Sequence, residues 1–371
     1  MALDLVPRLG GAQPWKDSEP LECVSVVPEG PNTVSFSFRA PSGAWFDYRP
    51  GQFLTLELPV AGGPVHRTYT LSSSPSRPLS ITLTVRAQST SLGTRWMLDN
   101  LREGMRVKAI GPGGIFVPDV PADRKLLLIS AGSGVTPMMA ITTYRWDLGG
   151  QPDICFVSCA RRPSELVFRR RLEHMATRLP SIKLHFVIEQ DDPHDAWTGY
   201  RGVFNQLMLG LMAPDYLERE VYCCGPEPFM QAVRDMLIGF GYDMEHYHQE
   251  TFAAPVLTPA DAPVLDDVVP SAEAASEIVF ALSGQTVQCT EADTILAVSR
   301  MAGLNIPSGC TFGVCGTCKT KKLSGEAHGA QRRHLRGGHC RGLHPRLLLA
   351  SDGKGRDRGV TPRGSAARMI R

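Results

Sequence analysis

Changes of hydrophobic rhythm along the chain predict a multi-domain protein: a β-rich module, an α/β module on a parallel sheet, and a small third module. Between residues 18 and 120, VSFSF, FLTLEL and LSITLTV are short runs of β-branched and aromatic residues separated by Pro and Gly turns. Between 121 and 252, the continuous apolar runs KLLLIS, ICFVSC, LHFVIE and EVYCCG alternate with polar segments of helical length. That is the pattern of strands buried on both faces by helices. Residues 253–275, rich in Ala, Pro and Asp without a sustained period, read as a linker. Beyond it, IVFALSGQTVQC reads as a hairpin and DTILAVSRMAGL as an amphipathic helix.

The bulk composition narrows the function. A chain of 371 residues with 43% hydrophobic and 20% charged residues has room for two or three globular domains. No apolar run approaches the ~20 residues that span a bilayer. The first residues, MALDLVPRLGGAQPWKDSEP, lack the basic and apolar regions of a secretory signal. The expectation is a cytoplasmic protein with no membrane partner. Ten cysteines in such a setting point to metal or redox chemistry. The net charge of +2 conceals a tail: residues 327–371 hold ten Arg and Lys354 against Asp352 and Asp357, a local +9, which leaves about −7 on the rest.

Three constellations carry chemistry. The first is HRTYTLSS, with Arg67, Tyr69 and Thr70, preceded by Tyr48-x-Pro50-Gly51-Gln52 and followed by VKAIGPGGIF. On such a strand an Arg can pair with a pyrophosphate, a Tyr can pack on a flavin ring, and a hydroxyl can bond its edge. An ordinary half-buried strand holds the same residue types. Gly93 and Thr94 stand ahead of a helical stretch, SLGTRWMLDNL, whose first amides suit a phosphate. The second is LLLISAGSGVTPMM, with Gly132, Gly134, Thr136 and Pro137: a strand, a Gly-rich turn and a helix, the layout of a dinucleotide site. A structural βα turn reads almost the same. Downstream, Cys224-Gly225-Pro226 ends a second strand of that sheet, and a buried small hydrophobe is the plainer reading of Cys224. The third is SGCTFGVCGTC, placing Cys310, Cys315 and Cys318 in the C-x4-C-x2-C spacing of a plant-type [2Fe–2S] loop. Structural zinc, the alternative, more often uses paired C-x2–4-C ligands.

In this order and spacing the motifs resemble the ferredoxin–NADP reductase superfamily, over residues 18–326. The likeness is strongest to reductase components of Rieske oxygenase systems that demethylate betaine-like amines, on YHQETF and SGCTFGVCGTCKTKKLSGE. The resemblance implies an antiparallel β-barrel FAD domain (18–120), an α/β parallel-sheet NAD domain (121–252) and an α+β ferredoxin-like [2Fe–2S] domain (276–326). It implies that Arg67, Tyr69, Thr70, Gly93 and Thr94 hold FAD, and that Gly132, Thr136, Gly225 and Pro226 meet the nicotinamide nucleotide. Cys224 and Glu250 stand as catalytic candidates, with a solvated surface carboxylate as the other reading of Glu250. NADH is favoured, although Arg161 and Arg162 in CARRPSELVF suit the 2′-phosphate of NADPH. Electrons then pass singly to a protein acceptor. The alternatives are a reductase for a hybrid-cluster protein or a haem monooxygenase, or a basic-tailed binding protein on a reductase scaffold. Nucleic acid is not the expected partner.

The chain departs from the family after Glu326. A plant-type cluster needs a fourth thiolate about 30 residues beyond Cys318. Leu347, Leu348 and Leu349 stand there, and Cys340 comes too early. No apolar strand to close the sheet is evident in the tail. One set of codons for His339–Leu349, read one nucleotide later, spells Ile-Ala-Glu-Gly-Tyr-Ile-Leu-Ala-Cys-Cys. The basic tail (327–371) therefore reads as a frameshifted end.

Overall fold

The computed structural model describes residues 13–87, 91–193, 195–252, 275–280, 283–290, 295–304, 321–324 and 366–370. The chain divides into two compact units, Met1–Ala253 and Ala254–Arg371.

The first unit opens with six strands: β1 (Leu21–Gly30), β2 (Thr33–Arg39), β3 (Phe53–Val60), β4 (Gly63–Thr70), β5 (Ile81–Arg86) and, after helix α1 (Leu92–Asn100), β6 (Arg106–Gly113). They pair antiparallel in the order β4-β3-β6-β1-β2-β5. A bridge between Leu71 and Leu83 joins the end of β4 to β5 and closes the barrel. Its interior is filled by Leu21, Phe36, Phe38, Leu54, Leu56, Leu58, Ile81 and Leu83. A chain of hydroxyls crosses this wall: Thr84 lies 2.8 Å from both Ser35 and Ser72, so each buried polar group is satisfied.

The second half of the unit is a parallel sheet. Its elements are β7 (Leu126–Ala131), α2 (Val135–Asp147), β8 (Ile154–Ala160), α3 (Arg169–Arg178), β9 (Ile182–Ile188), β10 (Tyr200–Arg201), α4 (Gln206–Met212), β11 (Glu220–Cys224), α5 (Glu227–Gly239) and β12 (Tyr247–Glu250). The strand order is β10-β9-β8-β7-β11-β12. Helices α2 and α3 cover one face, packing on Leu126, Leu128, Phe156 and Tyr222; α4 and α5 cover the other, on Leu127, Ile129, Val157 and Cys223. The chain runs outward from β7 to β8 and β9, then returns to place β11 on the other side of β7. The carboxyl ends of β7 and β11 are thus the switch point of an open α/β sheet, where ligands bind.

At the opposite edge Arg219, 1% exposed, holds the sheet together. It donates to Asp215 through Nε (2.7 Å) and Nη2 (3.0 Å), and through Nη1 to Asp153 (2.8 Å) and the Leu126 carbonyl (3.1 Å). These bonds, with Lys125, depress the Asp215 carboxyl to about 2.

In the second unit β13 (Ala275–Phe280) and β14 (Gln285–Thr290) form the expected hairpin, turning at Gly284 with φ +68°. Helix α6 (Ile295–Met301) places Val298 against Ile278 and Phe280. The tail corrects one expectation. Ala366–Ile370 forms a strand, β16, parallel to β13 and antiparallel to β15 (Lys321–Ser324), giving the order β14-β13-β16-β15. Only its AARMI stretch does so, and its two alanines and one arginine hid it among basic residues in the sequence. Among the described residues no helix is long and apolar enough to cross a membrane.

Replacing Arg219 by Ala should strip the Leu126 carbonyl and the partly exposed carboxylates of Asp215 and Asp153 of a buried partner and cost about 3 kcal/mol, the low end for breaking a buried ion pair. Lys125 still serves Asp215, which is why the low end applies. Urea unfolding followed by tryptophan fluorescence measures it, and an unchanged midpoint would show that the buried network is dispensable.

Candidate functional site

The flavin-side residues sit on β4. Register with β3 pairs Arg67 with Leu56, Tyr69 with Leu54 and Thr70 with Phe53, so alternation points Arg67 and Tyr69 to one face and Thr70 to the other. The start of α1 presses on that first face. A Cβ at Gly93 would stand 2.8 Å from Arg67 Cγ and 3.2 Å from Leu58 Cδ1, so the helix approaches Arg67 only because position 93 is glycine. Ser91, at the cap of α1, makes no side-chain capping bond, leaving the first amides available to an anion beside the Arg67 guanidinium. The Tyr69 phenol and the Thr94 hydroxyl are buried and have no hydrogen-bond partner. Burial also pushes the phenol's pKa upward. Unsatisfied buried hydroxyls beside a cation and free helix amides fit a bound polar cofactor with a phosphate, and FAD meets that description.

The nucleotide-side residues collect at the switch point. Gly132, with φ +56°, starts the turn after β7. Gly134 follows it at the start of α2, and its hypothetical Cβ would fall 2.0 Å from the Cys224 carbonyl oxygen. Thr136 is buried, its hydroxyl donating to the Ser133 carbonyl at 3.0 Å, so it braces the turn. Gly225 follows β11 and Pro226 caps α5. Arg161 and Arg162, at the end of β8, are exposed, and Arg162 reaches Gln190 at 3.4 Å.

The two halves meet at Thr70 and Glu250. Parallel pairing of β11 with β12 sets Cys224 opposite Glu250, and Thr70 Oγ1 donates to Glu250 Oε2 at 3.4 Å from the barrel. Glu250 is therefore no solvated surface carboxylate. Desolvation pushes its carboxyl up to about 8, with the Thr70 bond opposing. Cys224 is fully buried, and its thiol is raised well above the usual range by burial and by the facing carboxyl. Burial thus disfavours charge on both groups of the junction. Cys310, Cys315 and Cys318 lie outside the described residues.

Sequence reasoning missed the side chains that fasten the halves together. Arg77 donates to Asp147 through Nε (2.9 Å) and Nη2 (2.7 Å), Ser76 joins the same carboxylate, and Arg86 Nη2 meets Glu165 Oε2 at 2.5 Å. Each pair joins residues at least 70 apart on different modules, and no local pattern announces such partners.

Comparison with known proteins accords with this architecture. The oxidoreductase FAD-binding domain matches residues 21–117, the oxidoreductase NAD-binding domain 128–235 and the 2Fe-2S iron-sulfur cluster binding domain 280–339. The chain is 60% identical over 315 residues to the stachydrine N-demethylase reductase subunit of Rhizobium meliloti, covering 85% of this chain and 88% of that protein. It is 43% identical over 318 residues to the glycine betaine monooxygenase reductase subunit of Chromohalobacter salexigens, covering 82% and 85%. Among solved structures, phthalate dioxygenase reductase superposes with a TM-score of 0.56 at 25% identity, over 95% of this chain and 96% of that one. The FAD/NAD-binding domain of a Vibrio cholerae nitric oxide dioxygenase shares the fold of the first unit, with a TM-score of 0.57 at 24% identity over 63% of this chain and 98% of that one. A closed barrel matched as an FAD-binding domain, a parallel sheet matched as an NAD-binding domain, a C-terminal 2Fe-2S match and these relatives place the chain in the ferredoxin–NADP reductase superfamily, among the reductase components of Rieske-type oxygenase systems.

Proposed function

We propose that the chain takes hydride from NADH at residues 121–252, holds FAD at residues 18–120, and delivers electrons singly to a cytoplasmic Rieske-type oxygenase that demethylates a quaternary amine of the betaine class. The enzyme is an NAD(P)H-dependent oxidoreductase, and FAD supplies the conversion of a two-electron donor into single electrons. The observation that carries the reading is the Thr70–Glu250 contact beside Cys224, because it joins the flavin strand to the nucleotide switch point. The likeness to N-demethylase and betaine monooxygenase reductase subunits supports the substrate class of the partner.

The chain's own residues have separable tasks. Arg67 and the first amides of α1 bind the pyrophosphate of FAD. The unpartnered hydroxyls of Tyr69 and Thr94 would offer it hydrogen bonds, and Thr70 would help to hold the flavin. Gly132, Gly225, Pro226 and the α2 N-terminus, braced by Thr136, receive the nucleotide. Cys224, fully buried at the end of β11, would exclude water from the nucleotide site. Glu250, carrying its proton up to about pH 8, holds or passes a proton at its carboxyl oxygen within reach of Thr70. For the third module the donor set falls short, with three thiolates in the loop and leucines at the expected fourth position. No electron step is assigned to particular ligands there.

Arg67→Ala should weaken FAD binding by about ten- to a hundredfold, the loss of a charge-assisted bond of ~1.5–3 kcal/mol. Flavin fluorescence on dilution measures it, and full retention would move the cradle elsewhere.

At the junction, Cys224→Ala should slow flavin reduction by about tenfold with FAD still bound. Glu250→Gln should abolish the fall in rate that accompanies ionisation above pH 8, since Gln keeps the shape and cannot titrate. Rapid mixing with NADH across pH 6–10 reads both, and unaltered rates and pH profile would return both residues to packing roles.

The tail makes the last expectation. This chain should reduce ferricyanide with NADH yet hold well under the two irons of a full cluster. A one-nucleotide correction of the gene near codon 327 should restore both iron and electron delivery to a protein acceptor. A stable cluster seen by electron paramagnetic resonance in the uncorrected protein would instead assign Cys340 or a tail histidine as fourth ligand.

A further inference from the structure

The ion pair between Arg86 and Glu165 lies on the path to the nucleotide turn. Arg86 is the last residue of β5, on the barrel, yet its guanidinium crosses the module boundary. A side chain placed at Gly132 would meet nothing within 4 Å except Arg86 Nη1, at 3.8 Å. The cation therefore hangs over the first glycine of the turn that opens α2, a helix of 13 residues whose cap makes no side-chain bond. A phosphate arriving at those amides enters the reach of Arg86.

That cation is engaged within the protein itself. Its Nη2 lies 2.5 Å from Glu165 Oε2, the carboxylate side chain being 16% exposed. Glu165 ends the short turn Pro163–Glu165 that follows β8, the strand next to β7, and the fold holds that turn in place from several sides. A Cβ at Gly30, on the barrel, would come 3.0 Å from the Ser164 carbonyl. The Ser164 hydroxyl bonds Asp192 at 2.7 Å, and Leu166, Val167 and Phe168 immediately follow into the core. The carboxylate is thus delivered to Arg86 by packing, and it does not wander there from solvent.

We propose that Glu165 is an internal anion that competes with the pyrophosphate of NADH for Arg86, and so sets the affinity of the enzyme for its nucleotide. This deepens the reading of the Gly-rich turn as the nucleotide site and rests on it. When the pyrophosphate binds, it exchanges for the carboxylate on the guanidinium; when NAD⁺ leaves, the carboxylate returns. A pyrophosphate carries more charge than a carboxylate and gains the α2 amides as well, so it can win the exchange. A purely mechanical role for the pair is less demanding of this position, because Arg77 and Ser76 already tie the modules together at Asp147.

The test uses the FAD-loaded full chain, with calorimetric titration of ADP-ribose, which keeps the pyrophosphate and lacks the nicotinamide, and rapid mixing with NADH. Glu165→Gln should tighten ADP-ribose and lower the KM for NADH, both by about tenfold, with the change in KM rather than in limiting rate. Glu165→Asp, which keeps the charge, should stay close to the parent. Arg86→Ala should weaken both by about tenfold, and the double variant should behave as Arg86→Ala, because without the cation there is nothing to contest. If Glu165→Gln leaves ADP-ribose affinity unchanged, or weakens it as Asp147→Asn would by loosening the modules, the competition is refuted and the pair is a tie. Failure of the parent protein to bind ADP-ribose is a separate outcome, which removes the nucleotide site itself and the competition with it.

Discussion

The carbonyl of Cys224 lies where a side chain at position 134 would have to be, and the arrangement of the first unit follows from that contact. With a Cβ at Gly134 only 2.0 Å from that oxygen, the turn after β7 and the end of β11 close on each other as bare backbone. Backbone against backbone yields little, unlike the far end of a flexible side chain. The turn therefore has one height above the sheet. Cys224 has one position along β11, and its partner Glu250 one position along β12. From that position Glu250 meets Thr70, so a glycine on one module places a carboxyl against a strand of the other.

Much of this was legible beforehand, and the reason is local. Strands buried on both faces must be continuously apolar, so LLLIS and EVYCC announced a parallel sheet without any knowledge of their neighbours. Glycines that admit a phosphate or a close backbone also leave a mark, and Gly93, Gly132 and Gly134 were visible as such. What escaped notice was relational. Arg86 and Glu165 are ordinary surface-type residues in their own segments, and only the docking of barrel on sheet makes them partners. The unpaired hydroxyls of Tyr69 and Thr94 are likewise a property of the folded cradle. The state of Glu250 was undecidable between solvent and interior until β12 was laid beside β11.

The third module shows the converse. Its hairpin and helix were readable from alternation and period, and Val298 packs on Ile278 and Phe280 accordingly. Its closing strand was not readable, because Ala366–Ile370 pairs through backbone groups that any residue carries. Strand pairing in a small module asks little of side chains beyond compatibility. A cluster asks for particular atoms at particular places. Sheet completion and ligand completion are separate demands, and this chain meets the first with residues that do not address the second.

The two edges of the parallel sheet are built from opposite materials. At its amino edge Glu220, nearly buried, receives Arg124 at 3.3 Å, His246 at 3.1 Å and His248 at 2.6 Å, and His248 stacks on Tyr222 at 4.6 Å. Arg219 is knotted into the same edge. At the carboxyl edge, beside the Arg86–Glu165 pair, the contacts are a thiol, glycines and a carboxyl that burial disfavours ionising. Dissolved ions weaken the partly exposed bonds of the first edge; at the second they reach the Arg86–Glu165 pair beside the turn but find little to screen between Cys224 and Glu250. One sheet thus has a briny end and, opposite it, an end whose centre at Cys224 and Glu250 is dry.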